Sequence, residues 1–192
     1  MQRALSASAP ALLLAGLAAA LGVRVALGLP DVAASEAGAI GFVAAAVLVT
    51  AAYGWKPERL SLESLLVGAA GGAVLLVGPL WLHLSAPWVE PPLPISSFPV
   101  WALTVVLVAG SEEVLLRGAL FDACLTLAGP AAAVVVTSMA FAVIHVPLYG
   151  VAALPLDLAV GMWLGGLRLL SGSVAAPATA HILADLVGWW LV

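Results

Sequence analysis

The stretch VWALTVVLVAGSEEVLLRGALFDACLTL, residues 100–127, decides the fold. A membrane-crossing helix needs roughly 20 apolar residues at about 1.5 Å each, and this run is long enough. Yet Glu112, Glu113 and Arg117 sit inside it. A charged side chain at the centre of a membrane helix costs about 2.5–3.5 kcal/mol on the insertion scale, so such groups are functional by default. Their spacing separates their roles. Glu113 and Arg117 are four residues apart on one face and can pair. Glu112 lies about 100° away around the helix, outside that pair. A carboxylate left out of its neighbour's ion pair in a dry site suits a general base. The plainer alternative is an interhelical ion cluster that only holds the bundle together.

The rest of the chain reads the same way. Of 192 residues, 64% are hydrophobic and 8% charged, against about 25% charged in an ordinary soluble domain. With a mean hydropathy of +1.20, the solvent for most of the chain is lipid. The net charge of −4 and pI near 5.1 remove the electrostatic basis for nucleic-acid binding. The single Cys124 excludes an intramolecular disulfide and any Cys-rich metal site. No hydrophilic block is large enough for a separate module, so residues 1–192 read as one membrane-embedded domain with a motif-bearing core at about 98–192.

The predicted class is all-α: a polytopic transmembrane helix bundle of about seven spans, near 5–29, 37–53, 62–84, 100–127, 131–146, 151–170 and 174–192. The first run continues past a signal peptide's apolar region and reads as a span. The Pro-rich stretch 86–99, with Glu90 and flanked by Trp88 and Trp101, is the longest loop. Arg3, Lys56, Arg59 and Arg168 fall on one side, which makes that side cytoplasmic with the N-terminus inside. Arg24 is the misfit and is expected to snorkel to the interface. Depths counted along the helices predict a cavity opening toward the cytoplasm, with the 86–99 loop on the opposite face.

Two histidines also lie inside spans. Phe141 and His145 are four apart on the fifth, and His181 and Asp185 four apart on the seventh. His83 reads as interfacial. Asp122, Asp157 and Cys124 receive no role, and Trp55, Trp88, Trp101, Trp189 and Trp190 read as interface markers.

Three motifs now stand in order, each in an apolar span: Glu112-Glu113-Val114-Leu115-Leu116-Arg117, Phe141-Ala142-Val143-Ile144-His145 and His181-Ile182-Leu183-Ala184-Asp185. Together they resemble the CAAX-protease and bacteriocin-processing (CPBP, or Abi) intramembrane proteases, marked by Glu-Glu-x-x-x-Arg, Phe-x-x-x-His and His-x-x-x-Asn/Asp. The resemblance covers about residue 100 to the end. It implies an intramembrane endopeptidase in which Glu112 activates water and Glu113 is a supporting carboxylate paired with Arg117. His145 and His181 would bind that water or the oxyanion, and Phe141 would support them. Asp185, standing where eukaryotic prenyl-protein endopeptidases have Asn, would orient His181 or water. The implied partner is a membrane-anchored or lipidated protein or peptide, and the implied location a bacterial inner membrane.

A zinc site built from Glu112, His145 and His181 is the metal alternative. No His-Glu-x-x-His helix is present, and the reading favours no metal. Two other functions compete: a non-catalytic scaffold or bacteriocin-immunity protein, and a proton-coupled carrier using Glu112, His145 and His181 as a relay. The latter lacks the inverted repeats of a transporter.

Overall fold

Helices begin and end where the sequence is punctuated. In the computed structural model, which describes residues 7–80 and 97–191, α1 (Ala9–Gly28) starts with a proline in its first turn. That residue needs no backbone N–H there. Helix α2 (Glu36–Tyr53) is capped by Ser35, whose hydroxyl accepts from the Gly38 N–H, and stops at Gly54 in the left-handed conformation, φ 78°. Helix α3 (Leu62–Leu75) is capped in the same way by Ser61. After α4 (Phe98–Glu113) the chain widens into a π-helix, Val114–Leu120, and continues as α5 (Phe121–Tyr149). A short 3-10 turn, Val151–Ala153, leads to α6 (Leu154–Ser171), and α7 (Ala175–Leu191) closes the described chain. Among the described residues all regular structure is helical. Arg3, His83, Trp88, Glu90 and most of the Pro-rich loop lie outside the described residues.

Among the described residues, five helical runs are long and apolar enough to cross a membrane: Ala9–Gly28, Glu36–Tyr53, Leu62–Leu80, Phe98–Tyr149 and Val151–Ser171. The expected count of about seven differs for two reasons. Residues 98–149 form one run of 52 residues, because the expected break is a single residue: Gly129 leaves helical geometry at φ 82°, ψ 179°, and Pro130 starts the next turn at once. The final helix is 17 residues long, short for a span.

Burial is arranged for lipid. Leu170 is 76% and Leu48 68% exposed, whereas Glu113 and Arg117 are fully buried at 0%. Water would disfavour that pattern; hydrocarbon favours it, because charges there must find partners inside the bundle. The chain is an integral membrane protein.

Helix α1 packs on α2, α3 on α7, and α5 on α6. Small residues set the closest approach. A Cβ on Gly68 would lie 2.5 Å from the Ala176 carbonyl oxygen, and one on Gly72 3.0 Å from that of Ala180. The α3 and α7 backbones therefore touch, which fixes the rotation of α7 and of His181. Leu13, Phe42, Leu115, Phe141, Leu164 and Ala180 belong to one buried apolar cluster, joining the N-terminal hairpin to the later helices.

Candidate active site

Glu113 and Arg117 meet as their spacing predicts. Arg117 Nη1 donates to Glu113 Oε1 at 2.9 Å. The guanidinium sits 4.7 Å from the Phe141 ring centroid, a cation–π contact in a dry setting. Its Nη2 donates to the Gly161 carbonyl at 3.1 Å. No side chain fits at position 161, since a Cβ there would lie 2.9 Å from Ser138 Cα on α5. Arg117 thus ties the π-helix to α6 through the closest point of the α5–α6 contact.

The same carboxylate oxygen takes a second bond: His181 Nδ1 donates to Glu113 Oε1 at 2.9 Å. Glu113 joins α4, the π-helix and α7, and its Oε1 is fully engaged. The other imidazole nitrogen of His181 lies 3.6 Å from Asp185 Oδ2, beyond a hydrogen bond. The Asp185 side chain is 45% exposed and stands at the rim.

Glu112 points elsewhere. Its Oε2 is 4.0 Å from His145 Nε2. His145 Nδ1 donates to the Phe141 carbonyl at 2.8 Å. In a neutral ring the proton is then on Nδ1, and Nε2 keeps its lone pair toward Glu112. The Phe141 ring lies 4.3 Å from His145 and 5.4 Å from His181, the spacer between the two imidazoles. Tyr149 stacks on the outer face of His145 at 5.7 Å. The structure therefore brings Glu112, Glu113, Arg117, Phe141, His145 and His181 together, with Asp185 at the edge.

Arg24 corrects the sequence reading. It does not snorkel: it is 7% exposed, its guanidinium lies 5.5 Å from the Phe42 ring, and its Nη1 is 3.7 Å from Glu112 Oε1. An arginine one turn inside an apolar helix is better compensated by a buried carboxylate than by a stretched path to the interface. Its lack of any polar neighbour on α1 was the available signal.

Arg168, expected on the same side as Lys56 and Arg59, is 6% exposed. Its Nε donates to the Arg117 carbonyl at 2.9 Å, and its Nη2 to Glu58 Oε1 at 2.6 Å and Asp122 Oδ1 at 2.9 Å. Trp55, read as an interface marker, donates its indole N–H to Asp122 Oδ2 at 2.8 Å and covers Gly118, where a Cβ would lie 2.8 Å from its ring. Asp122 thus has a structural part that its spacing did not reveal. This layer ties the 54–61 loop to the π-helix, α5 and α6. Tyr149 and Asp185, beside His145 and His181, are exposed.

Of the three donors of the zinc alternative, His181 directs Nδ1 to Glu113, and His145 Nε2 lies 4.0 Å from Glu112 Oε2. Among the described residues, no three His, Cys, Asp or Glu side chains are grouped to hold a metal ion.

Residues 94–187 match the family described as "Type II CAAX prenyl endopeptidase Rce1-like". That stretch contains all three motifs. No curated protein and no solved structure compared with the chain matches it.

Proposed function

We propose, for a chain whose residues 94–187 belong to the Rce1-like family of type II CAAX prenyl endopeptidases, that Glu112 activates the water that cleaves the peptide bond. The family match supports a CAAX-type intramembrane endopeptidase acting on prenylated or membrane-anchored substrates. The observation that carries the finer reading is the state of Glu112. It is 3% exposed, yet Arg24 Nη1 and His145 Nε2 stand 3.7 and 4.0 Å from its oxygens, so the carboxylate is held without being consumed. Glu113 is consumed, by Arg117 and His181, and is a scaffold group.

In this reaction Glu112 takes a proton from water while the water oxygen attacks the carbonyl carbon. His145 Nε2, with its lone pair free, holds the same water from the other side. Glu112 then returns the proton to the departing amine. Asp185, at the rim, orients His181. No metal takes part. The substrate is a lipidated or membrane-anchored polypeptide. An apolar groove of about 370 Å³ between α1 and α5, lined in part by Leu17, Leu21, Ala140 and Ile144, supports a lipid chain running beside His145. The whole chain works as one domain in a bacterial cell membrane. It crosses the bilayer about seven times. A 52-residue run spans roughly 78 Å, more than twice a hydrocarbon core of about 30 Å, so it crosses twice with Gly129 at the turn, and α7 makes the last crossing.

The test is cleavage of a fluorogenic farnesylated CAAX peptide by purified wild-type and Glu112→Gln proteins. The variant should lose about 10²–10⁴-fold in rate. Cleavage by Glu112→Gln at the wild-type rate would refute the assignment.

A further inference from the structure

The groups around Glu112 are short of hydrogen-bond donors. Peptide hydrolysis moves negative charge onto the carbonyl oxygen, and that charge needs N–H or O–H groups aimed at it. His145 has committed its proton to the Phe141 carbonyl. His181 donates from Nδ1 to Glu113, so the neutral ring has no proton on Nε2, which stands 3.6 Å from the Asp185 carboxylate. The Asp185 carboxylate itself only accepts. Arg117 points to Glu113 and Gly161. Arg24 is different. It is buried, its Nε makes no hydrogen bond within the described structure, and its Nη1 stands 3.7 Å from Glu112 Oε1, too far for a hydrogen bond. A guanidinium carries five N–H donors, so the site holds a charged donor with unused capacity beside the base. Arg24 comes from α1, outside residues 94–187.

Building on the reading of Glu112 as the base, we propose that Arg24 is a catalytic residue that binds the scissile carbonyl oxygen and stabilises the oxyanion. The spacing suits this. A carbonyl whose carbon is attacked by a Glu112-bound water has its oxygen a few ångströms from that carboxylate, within reach of Arg24. The balance is simple. The water O–C bond forms, the carbonyl π pair becomes the oxyanion lone pair, and the water proton goes to Glu112. The C–N bond then breaks as the oxyanion collapses, and the amine leaves with the proton from Glu112. Arg24 donates hydrogen bonds throughout and loses no proton. Its charge also compensates Glu112 before substrate arrives. The N-terminal hairpin is therefore part of the catalytic unit.

The test uses full-length protein, the farnesylated CAAX peptide and a phosphinate analogue of it, whose tetrahedral anionic oxygens imitate the oxyanion. Arg24→Met should lower kcat by about 10²–10³-fold, the usual loss of one oxyanion donor, with KM within about threefold of wild type. Arg24→Lys should recover part of kcat. The phosphinate is also titrated without turnover against Glu112→Gln and the double variant Glu112→Gln/Arg24→Met, in which no buried charge is left unpaired. Loss of Arg24 there should weaken the phosphinate by about 100-fold and the uncleaved amide peptide, whose carbonyl oxygen carries no full charge, by no more than about threefold. Equal phosphinate affinity in the two, or wild-type kcat in Arg24→Met, would overturn the proposal. Glu112→Gln cleaving normally would instead overturn the assignment of the base.

Discussion

Replacing Arg117 with methionine removes a charge from the driest point of the bundle. Both Arg117 and Glu113 are 0% exposed and 2.9 Å apart. Without the guanidinium, Glu113 keeps His181 on Oε1, while its Oε2 has no hydrogen-bond partner within the described structure. Breaking a buried pair from one side costs about 3–5 kcal/mol. For a chain of this length each kcal/mol moves the melting temperature by about 2–4 °C, so Arg117→Met should melt roughly 6–20 °C below wild type. Arg117→Lys keeps the charge but not the planar fork that reaches both Glu113 and the Gly161 carbonyl. It should lose about 0.5–1.5 kcal/mol, the worth of one hydrogen bond. Adding Glu113→Gln to Arg117→Met removes the stranded carboxylate and should recover much of the loss. Melting followed by tryptophan fluorescence in detergent reads all three. If Arg117→Met melts within about 2 °C of wild type, below the cost of a single hydrogen bond, the pair is not what holds the π-helix to α6.

Gly161→Ala forces a methyl to 2.9 Å from Ser138 Cα and should destabilise by about 1–3 kcal/mol as an overpacked contact, visible as a lowered melting temperature. Trp55→Phe keeps the ring over Gly118 but loses the 2.8 Å bond to Asp122. Stability should fall by about 0.5–1.5 kcal/mol while kcat stays within about twofold, because the lock stands apart from the reacting groups. Dialysis against a strong chelator should leave cleavage of the farnesylated peptide unchanged; loss restored by added zinc would show that the donors rearrange around a metal. His145→Ala should lower kcat by about 10–10²-fold with little change in melting, as expected of a water-holding group short of the base itself.

What could be read from the sequence was whatever a helix makes local. The i, i+4 pairs Glu113–Arg117 and His181–Asp185 face one another because the helix period puts them there. The different outlook of Glu112 follows from the same period. Long-range partners were not legible. Arg24 meets a carboxylate 88 residues later (112 − 24), and Arg168 bridges Glu58 and Asp122 across 110 and 46 residues. An apolar helix gives no hint of which neighbour will receive its one charge. Counting basic residues by side treated Arg24 as interfacial, and its burial removes that misfit from the count. The expected turn at 129–130 was legible from Gly-Pro, but not that it would interrupt the helix for one residue only. The motifs located the half that carries the proposed base; the charge supplied by the N-terminal hairpin needed coordinates.

The π-helix between Glu113 and Phe121 makes the length of this segment as informative as its composition. A π turn holds one more residue than an α turn. Forced into α geometry with its full residue count, the segment would rephase everything downstream by about 100° and 1.5 Å. Asp122 would swing off Arg168 and Trp55, while Glu112 and Glu113 stayed in place. The wider turn absorbs one residue and keeps the two halves of the long helix, one carrying the proposed base and one carrying Asp122, in step. A one-residue deletion within 114–120 therefore has an outlet, relaxation to α geometry with the flanks nearly in phase, whereas a one-residue deletion in the α-helical stretches on either side has none. Deletion scanning of the gene should show 114–120 as a tolerant window between two intolerant ones; equal intolerance throughout would show that the π turn absorbs nothing.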